Sequence, residues 1–129
     1  MALDTDGVAG QASRLYRAAV DRKPDAAGLG YWIHQMEHGA SLQEVARAFM
    51  ADSEFRTLYG SALSDTGFIT ALYDNVLHRA PDEAGLAWWR AVLADGLERE
   101  KALVYFSESA ENVAQVAPAI LNGIDYTLW

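Results

Sequence analysis

Apolar positions along the chain recur with a helical period. Ile69, Leu72, Tyr73, Val76 and Leu77 fall at i, i+3, i+4, i+7 and i+8. That spacing gathers them on one helix face, where a strand would alternate them. Ala12, Leu15, Tyr16, Ala19 and Val20 repeat the same offsets. A second helix is predicted through Leu29, Trp32, Ile33 and Met36, with a counterpart through Leu86, Trp89 and Leu93. A third runs through Leu42, Val45, Ala46, Phe49 and Met50, matched less regularly by Ala102, Leu103 and Phe106. No segment predicts a strand, since the apolar run Val113–Val116 lies among helical neighbours. The expected fold class is all-α, a helical bundle joined by short turns.

Turn chemistry marks the helix ends. In Arg22-Lys23-Pro24-Asp25, proline stops one helix and aspartate caps the next. Gly39 suits the left-handed residue after a helix. Ser41-Leu42-Gln43-Glu44 has the spacing of a capping box. Asp52 and Ser109 are predicted to cap short fourth helices. Pro81-Asp82 and Gly96 repeat the earlier signals. Pro118 is expected to limit the last helix, and Asn122-Gly123 to end it.

These signals repeat because the chain repeats. Shifted by 57 residues, segment 15–54 matches segment 72–111 at 12 of 40 positions without a gap. Ordinary composition would give about 3. The identities fall on informative residues, among them Pro24/Pro81, Asp25/Asp82, Gly28/Gly85, Trp32/Trp89 and Gly39/Gly96. The expected organisation is one domain over 1–129. Residues 1–9 form a lead-in, and two duplicated units of about four helices occupy 10–60 and 61–129. The units are expected to pack with pseudo-twofold symmetry on a shared core, since two repeats are too few for an open solenoid.

Composition narrows the function. The 129 residues carry 10 basic and 18 acidic side chains, a net charge of -8. That balance argues against nucleic-acid binding and against docking on an anionic membrane. The second half is the more acidic, with 4 basic and 10 acidic residues over 61–129. Without cysteine, disulfides and thiolate chemistry are excluded. The start Met-Ala-Leu-Asp-Thr-Asp lacks the pattern of a cleavable secretion signal. No apolar run suffices for membrane insertion.

The doubled pattern Arg-x-Pro-Asp-x-x-Gly-Leu-x-x-Trp, preceded by Leu-Tyr and followed by Gly and Phe, resembles the domain of unknown function 4214. The resemblance runs from about Ala12 to Gly123 and includes the closing Phe106-Ser107-Glu108-Ser109-Ala110-Glu111-Asn112. That family occurs mostly as a module of large bacterial secreted, surface-layer and hemolysin-type calcium-repeat proteins. It is distantly similar to the helical linker domain of the phycobilisome. The resemblance implies an all-α, phycobilisome-linker-like fold, a secreted or cell-surface location, a parent multidomain protein and no catalytic residue. One departure is Asp52, where the family usually has Ser; a capping role survives the exchange. The acidic balance counts against a linker-type scaffold, which would need basic patches.

Several residues carry candidate chemistry. Arg22 with Asp25, and Arg79 with Asp82, read either as a ligand site in the turn or as a lock in which Asp caps the helix and Arg pairs with it or with helix-end carbonyls. Gly28 and Gly85, one turn into a helix, suggest close helix approach or the other unit's backbone passing there. Tyr31 and Trp88 neighbour the inward-facing Trp32 and Trp89, so they lie on the shoulder of the helix. There they serve a sugar or protein ligand, or else the two units bury them against each other. His34 and His38 match the H-x-x-E-H motif of inverted zinc peptidases. Copy two has Ala91 and Asp95 there, so the pair is foreign to the repeat. Asp4-Thr5-Asp6-Gly7 begins like a calcium loop but lacks the later ligands. Glu98, Glu100, Glu108 and Glu111 read as a solvated face. The expectation is a non-catalytic binding or assembly module recognising extracellular polysaccharide or another protein, with no cofactor. The alternatives are a purely structural scaffold and a zinc-dependent hydrolase.

Overall fold

The two Pro-Asp turns open helices of equal length at a spacing of 57 residues. The computed structural model describes residues 7–20, 25–59 and 64–121, the last four by backbone alone. Within them the first half holds α1 (Val8–Val20), α2 (Ala26–Glu37), α3 (Leu42–Met50) and α4 (Ser53–Tyr59). The second half holds α5 (Asp65–Leu72), α6 (Glu83–Ala94), α7 (Arg99–Ser107) and α8 (Ala110–Leu121). The bounds of α2 and α6, and of α3 and α7, differ by 57 at both ends. All the described regular structure is helical.

The predicted caps set these bounds. Asp25 and Asp82 take extended backbone and accept from the N–H of Gly28 and Gly85, at 2.7 and 3.2 Å. Ser41 and Glu44 form the reciprocal capping box, both bonds at 3.1 Å. Asp52 accepts from Glu54 N at 2.9 Å, and Ser109 from Asn112 N at 3.2 Å. Gly39 and Gly96 sit at φ 109° and 107°, where a side chain would be strained.

Three features depart from the expected plan. First, α5 runs on into a π-helical turn (Tyr73–Leu77) closed by His78 at φ 56°. The Val76 carbonyl lies in the last turn of this segment, where the helix's own donors run out. The Gln115 amide of α8 donates to it instead, and also to Asn112 Oδ1 at 2.9 Å. Second, α4 is short as expected, but α8 is not. It passes through Pro118 to Leu121, against the expectation that Pro118 limits the helix. A proline inside a helix forfeits one backbone bond, and the helix bears that cost here. The stop at Asn122-Gly123 lies outside the described residues. Third, α1 already begins at Val8, so the lead-in is shorter than 1–9.

One apolar core takes side chains from both halves. Leu15, Val45, Phe49 and Phe55 meet Phe68, Ile69, Leu72, Leu103 and Phe106. Helix α7 lies against both α1 and α3, and α5 against α6. Burial of each such side chain contributes about 1.5–3 kcal/mol. A smaller cluster of Ala9, Ala12, Leu29, Ile33 and Val116 joins α1, α2 and α8.

Candidate functional site

The Pro-Asp turns form a lock. Tyr16 of α1 donates its hydroxyl to Asp25 Oδ2 at 2.5 Å, while Asp25 Oδ1 accepts from Gly28 N. A Cβ at Gly28 would meet the Asp25 carboxylate oxygens at 2.9 and 3.0 Å. At Gly85 it would meet Asp82 Oδ1 and the Tyr73 hydroxyl, both at 2.7 Å. The recurring glycine therefore makes room for the cap and the tyrosine. Close helix approach is met at Gly85, where Tyr73 comes from the preceding helix, whereas at Gly28 the nearest atoms are those of the Asp25 side chain and not the other unit's backbone. Arg79 also differs from expectation. It grips Glu111 with two bonds of 2.9 Å, touches the Ala80 carbonyl at 3.3 Å, and lies 4.9 Å over the Tyr73 ring. The hydrogen bond from Arg79 holds the Glu111 carboxyl below its ordinary range. Arg22, its counterpart, lies outside the described residues, as do Asp4-Thr5-Asp6. Asp25 and Asp82 thus cap their helices as the second reading has it, while Arg79 pairs with Glu111 rather than with Asp82.

The glutamates read as a solvated face are instead engaged by arginines. Arg14, with only 4% of its side chain exposed, meets Glu108 at 2.6 and 3.1 Å. Arg47 reaches Glu98 at 3.0 Å and Glu100 at 2.9 Å. Each of these ties the first half to the second. No periodicity reveals them, because they join residues more than 50 apart. A charged residue on the otherwise buried stripe of α1 is the one available signal for Arg14. Arg17, one turn on, keeps a buried Nε with no hydrogen-bond partner among the described residues, and burial pulls its guanidinium below the ordinary range.

The aromatic shoulder is exposed, which removes the expectation that the units bury it against each other. Trp88 is 57% and Tyr31 40% accessible. Trp32 and Trp89 turn inward as predicted, half-buried against Phe49 at 5.0 Å and Phe106 at 5.1 Å. Trp88 stands edge-on to Trp89 at 4.9 Å, and Tyr105 lies 6.0 Å from Trp89 on its other contact. Tyr105, also 57% exposed, escaped the sequence reading, because its counterpart is Ala48 and the repeat gave no cue. In the first half that exchange leaves a cleft of about 100 Å³ lined by Trp32, Ala48, Phe49, Asp52 and Glu54 among others. Such a space holds roughly three waters, well below the several hundred Å³ of ordinary ligand pockets.

His34 and His38 stack with ring centroids 4.2 Å apart, and His38 Nδ1 donates to the His34 carbonyl at 2.8 Å. Among the described residues no group of three or more His, Cys, Asp or Glu could hold a metal ion. A catalytic zinc centre uses three protein ligands and an open position.

Caps, lock and shared core define an all-helical domain whose polar residues mostly serve its own architecture. The chain matches the domain of unknown function family DUF4214 over residues 11–58 and again over 46–116, and it belongs to that family. No curated protein and no solved structure matches it. No helix among the described residues is long and apolar enough to cross a membrane.

Proposed function

We propose that this domain is a non-catalytic recognition module of a secreted or cell-surface protein, and that it binds extracellular polysaccharide through Trp88 and Tyr105. One observation carries the reading: two large aromatic side chains, each 57% exposed, flank the half-buried Trp89 on α6 and α7. Exposed aromatics cost solubility, so their grouping favours a ligand. Rings with few rotatable bonds on rigid helices lose little entropy on contact, and their flat faces suit sugar rings. The platform belongs to one half only, since Ala48 replaces Tyr105 in the other. It is thus separable from the repeated residues that build the fold. The duplication itself is supported by the 57-residue offset shared by the bounds of α2 and α6 and of α3 and α7, and we propose that the two units pack with pseudo-twofold symmetry.

Titration with a panel of surface polysaccharides, followed by tryptophan fluorescence, tests the reading. A saturable change is expected, lost in Trp88→Ala and reduced at least tenfold in affinity in Tyr105→Ala. A response that persists in both variants, or none across the panel, overturns it. A purely structural spacer is the second reading, favoured by the internal engagement of Asp25, Asp82 and Arg79. It predicts that Trp88→Ala leaves assembly of the parent protein intact.

A further inference from the structure

We infer that His34 and His38 form a binding site for a borderline divalent transition metal, Cu²⁺ or Zn²⁺, on the surface of α2. The inference is independent of the polysaccharide reading. His34 lies in the last turn of α2 and His38 is its C-cap, and their rings lie 4.2 Å apart, centroid to centroid, with planes tilted 35°. His38 is exposed and His34 half-exposed, so a hydrated ion reaches both.

The tautomer of His38 is already set. A carbonyl only accepts, so the 2.8 Å contact with His34 O requires the proton on Nδ1. That leaves the Nε2 lone pair for a metal, the arrangement in which a backbone carbonyl orients a metal-bound histidine. Two nitrogens at about 2.0–2.1 Å from one ion sit near 3.3 Å apart in tetrahedral geometry. The two rings must fan apart from their 4.2 Å centroid separation to aim both in-plane lone pairs at one ion, a rotation about side-chain bonds that their exposed position permits. Among the described residues no third His, Cys, Asp or Glu joins the pair. Imidazole ligation suits Cu²⁺ and Zn²⁺ over Ca²⁺ and Mg²⁺, which prefer oxygen.

The equivalent positions in the second half, Ala91 and Asp95, are both exposed on α6. Since α2 and α6 share their bounds, the pair is transferable. This supplies the test: calorimetric titration of the whole chain with CuCl₂ and with ZnCl₂. One ion per chain is expected, with copper the tighter as the general affinity order requires. His34→Ala and His38→Ala should each weaken binding at least tenfold without change in circular dichroism. Adding Ala91→His and Asp95→His to the double alanine variant should restore it. Equal affinity in wild type and double variant would mean an adventitious ion only and would overturn the inference. So would failure of the transplanted pair, or a stoichiometry of one ion per two chains.

Discussion

At the level of single residues, the glycine of the repeated motif is an inward accommodation of its neighbour. Glycine within a helix ordinarily costs close to 1 kcal/mol relative to alanine. Here alanine at position 28 would press on the Asp25 carboxylate, which is held by the Tyr16 hydroxyl and the Gly28 N–H. Moving that carboxylate loses a cap contributing about 0.5–2 kcal/mol and strands a buried hydroxyl. Gly28→Ala should therefore destabilise the wild type by about 1 kcal/mol. In an Asp25→Ala background the obstruction is gone, and the same change should stabilise by about 0.5–1 kcal/mol. Urea denaturation of the four proteins of this cycle measures the sign. Destabilisation of equal size in both backgrounds would show that something other than Asp25 limits the space. At Gly85 the rigid, buried Tyr73 hydroxyl adds a second obstacle, so removing Asp82 should not rescue alanine there.

At the level of elements, the sequence made the helices legible and left their mutual fastening hidden. The apolar stripes, Asp25, Asp82, Ser41 and the glycines at 39 and 96 all act over a few residues, so spacing alone exposes them. The π-helical turn was not legible, because the apolar positions of Tyr73–Leu77 fit an ordinary helix equally well, and the Gln115 contact to the Val76 carbonyl arrives from distant α8. The passage of α8 through Pro118 was likewise hidden, since propensity argued for a stop there. Arg14–Glu108 and Arg47–Glu98/Glu100 join helices distant in sequence, and four glutamates on their own resemble a solvated face. Of the candidate site, Tyr31 and Trp88 were placed by helical geometry, whereas Tyr105 was missed for want of a counterpart. The two seam pairs should differ in weight. Glu108→Ala removes both bonds to a guanidinium only 4% exposed, and a loss of about 2 kcal/mol is expected, below the full cost of breaking a buried pair because Glu108 is partly exposed. Arg47 is 60% exposed, and Arg47→Ala should cost clearly less than Glu108→Ala. Thermal melts of both variants decide the order; a larger loss from Arg47→Ala would contradict it.

For the molecule as a whole, net charge is a poor guide to how the halves meet. Both are acidic, yet the seam sets Arg14 and Arg47 of the first half against Glu98, Glu100 and Glu108 of the second. Contacts of 2.6–3.0 Å outweigh diffuse repulsion, which falls away over about 8 Å at physiological salt. The apolar core follows the same division, because Leu15, Val45 and Phe49 are covered by Phe68, Leu103 and Phe106 from across the seam. Neither half retains a closed core when cut from the other, and about 60 residues bury too little surface to compensate. The domain should therefore unfold in a single cooperative transition, despite being built from two matching sets of helices. Peptides spanning 1–60 and 61–129 should each show little helical circular dichroism alone. Mixed in equal amounts, they should regain the helical signal of the intact chain, and Glu108→Ala in the second peptide should weaken their association. If the 61–129 peptide alone gives a sigmoidal melt with native-like helicity, the core is divisible. The clasp between the halves would then be an accessory to two independently stable units.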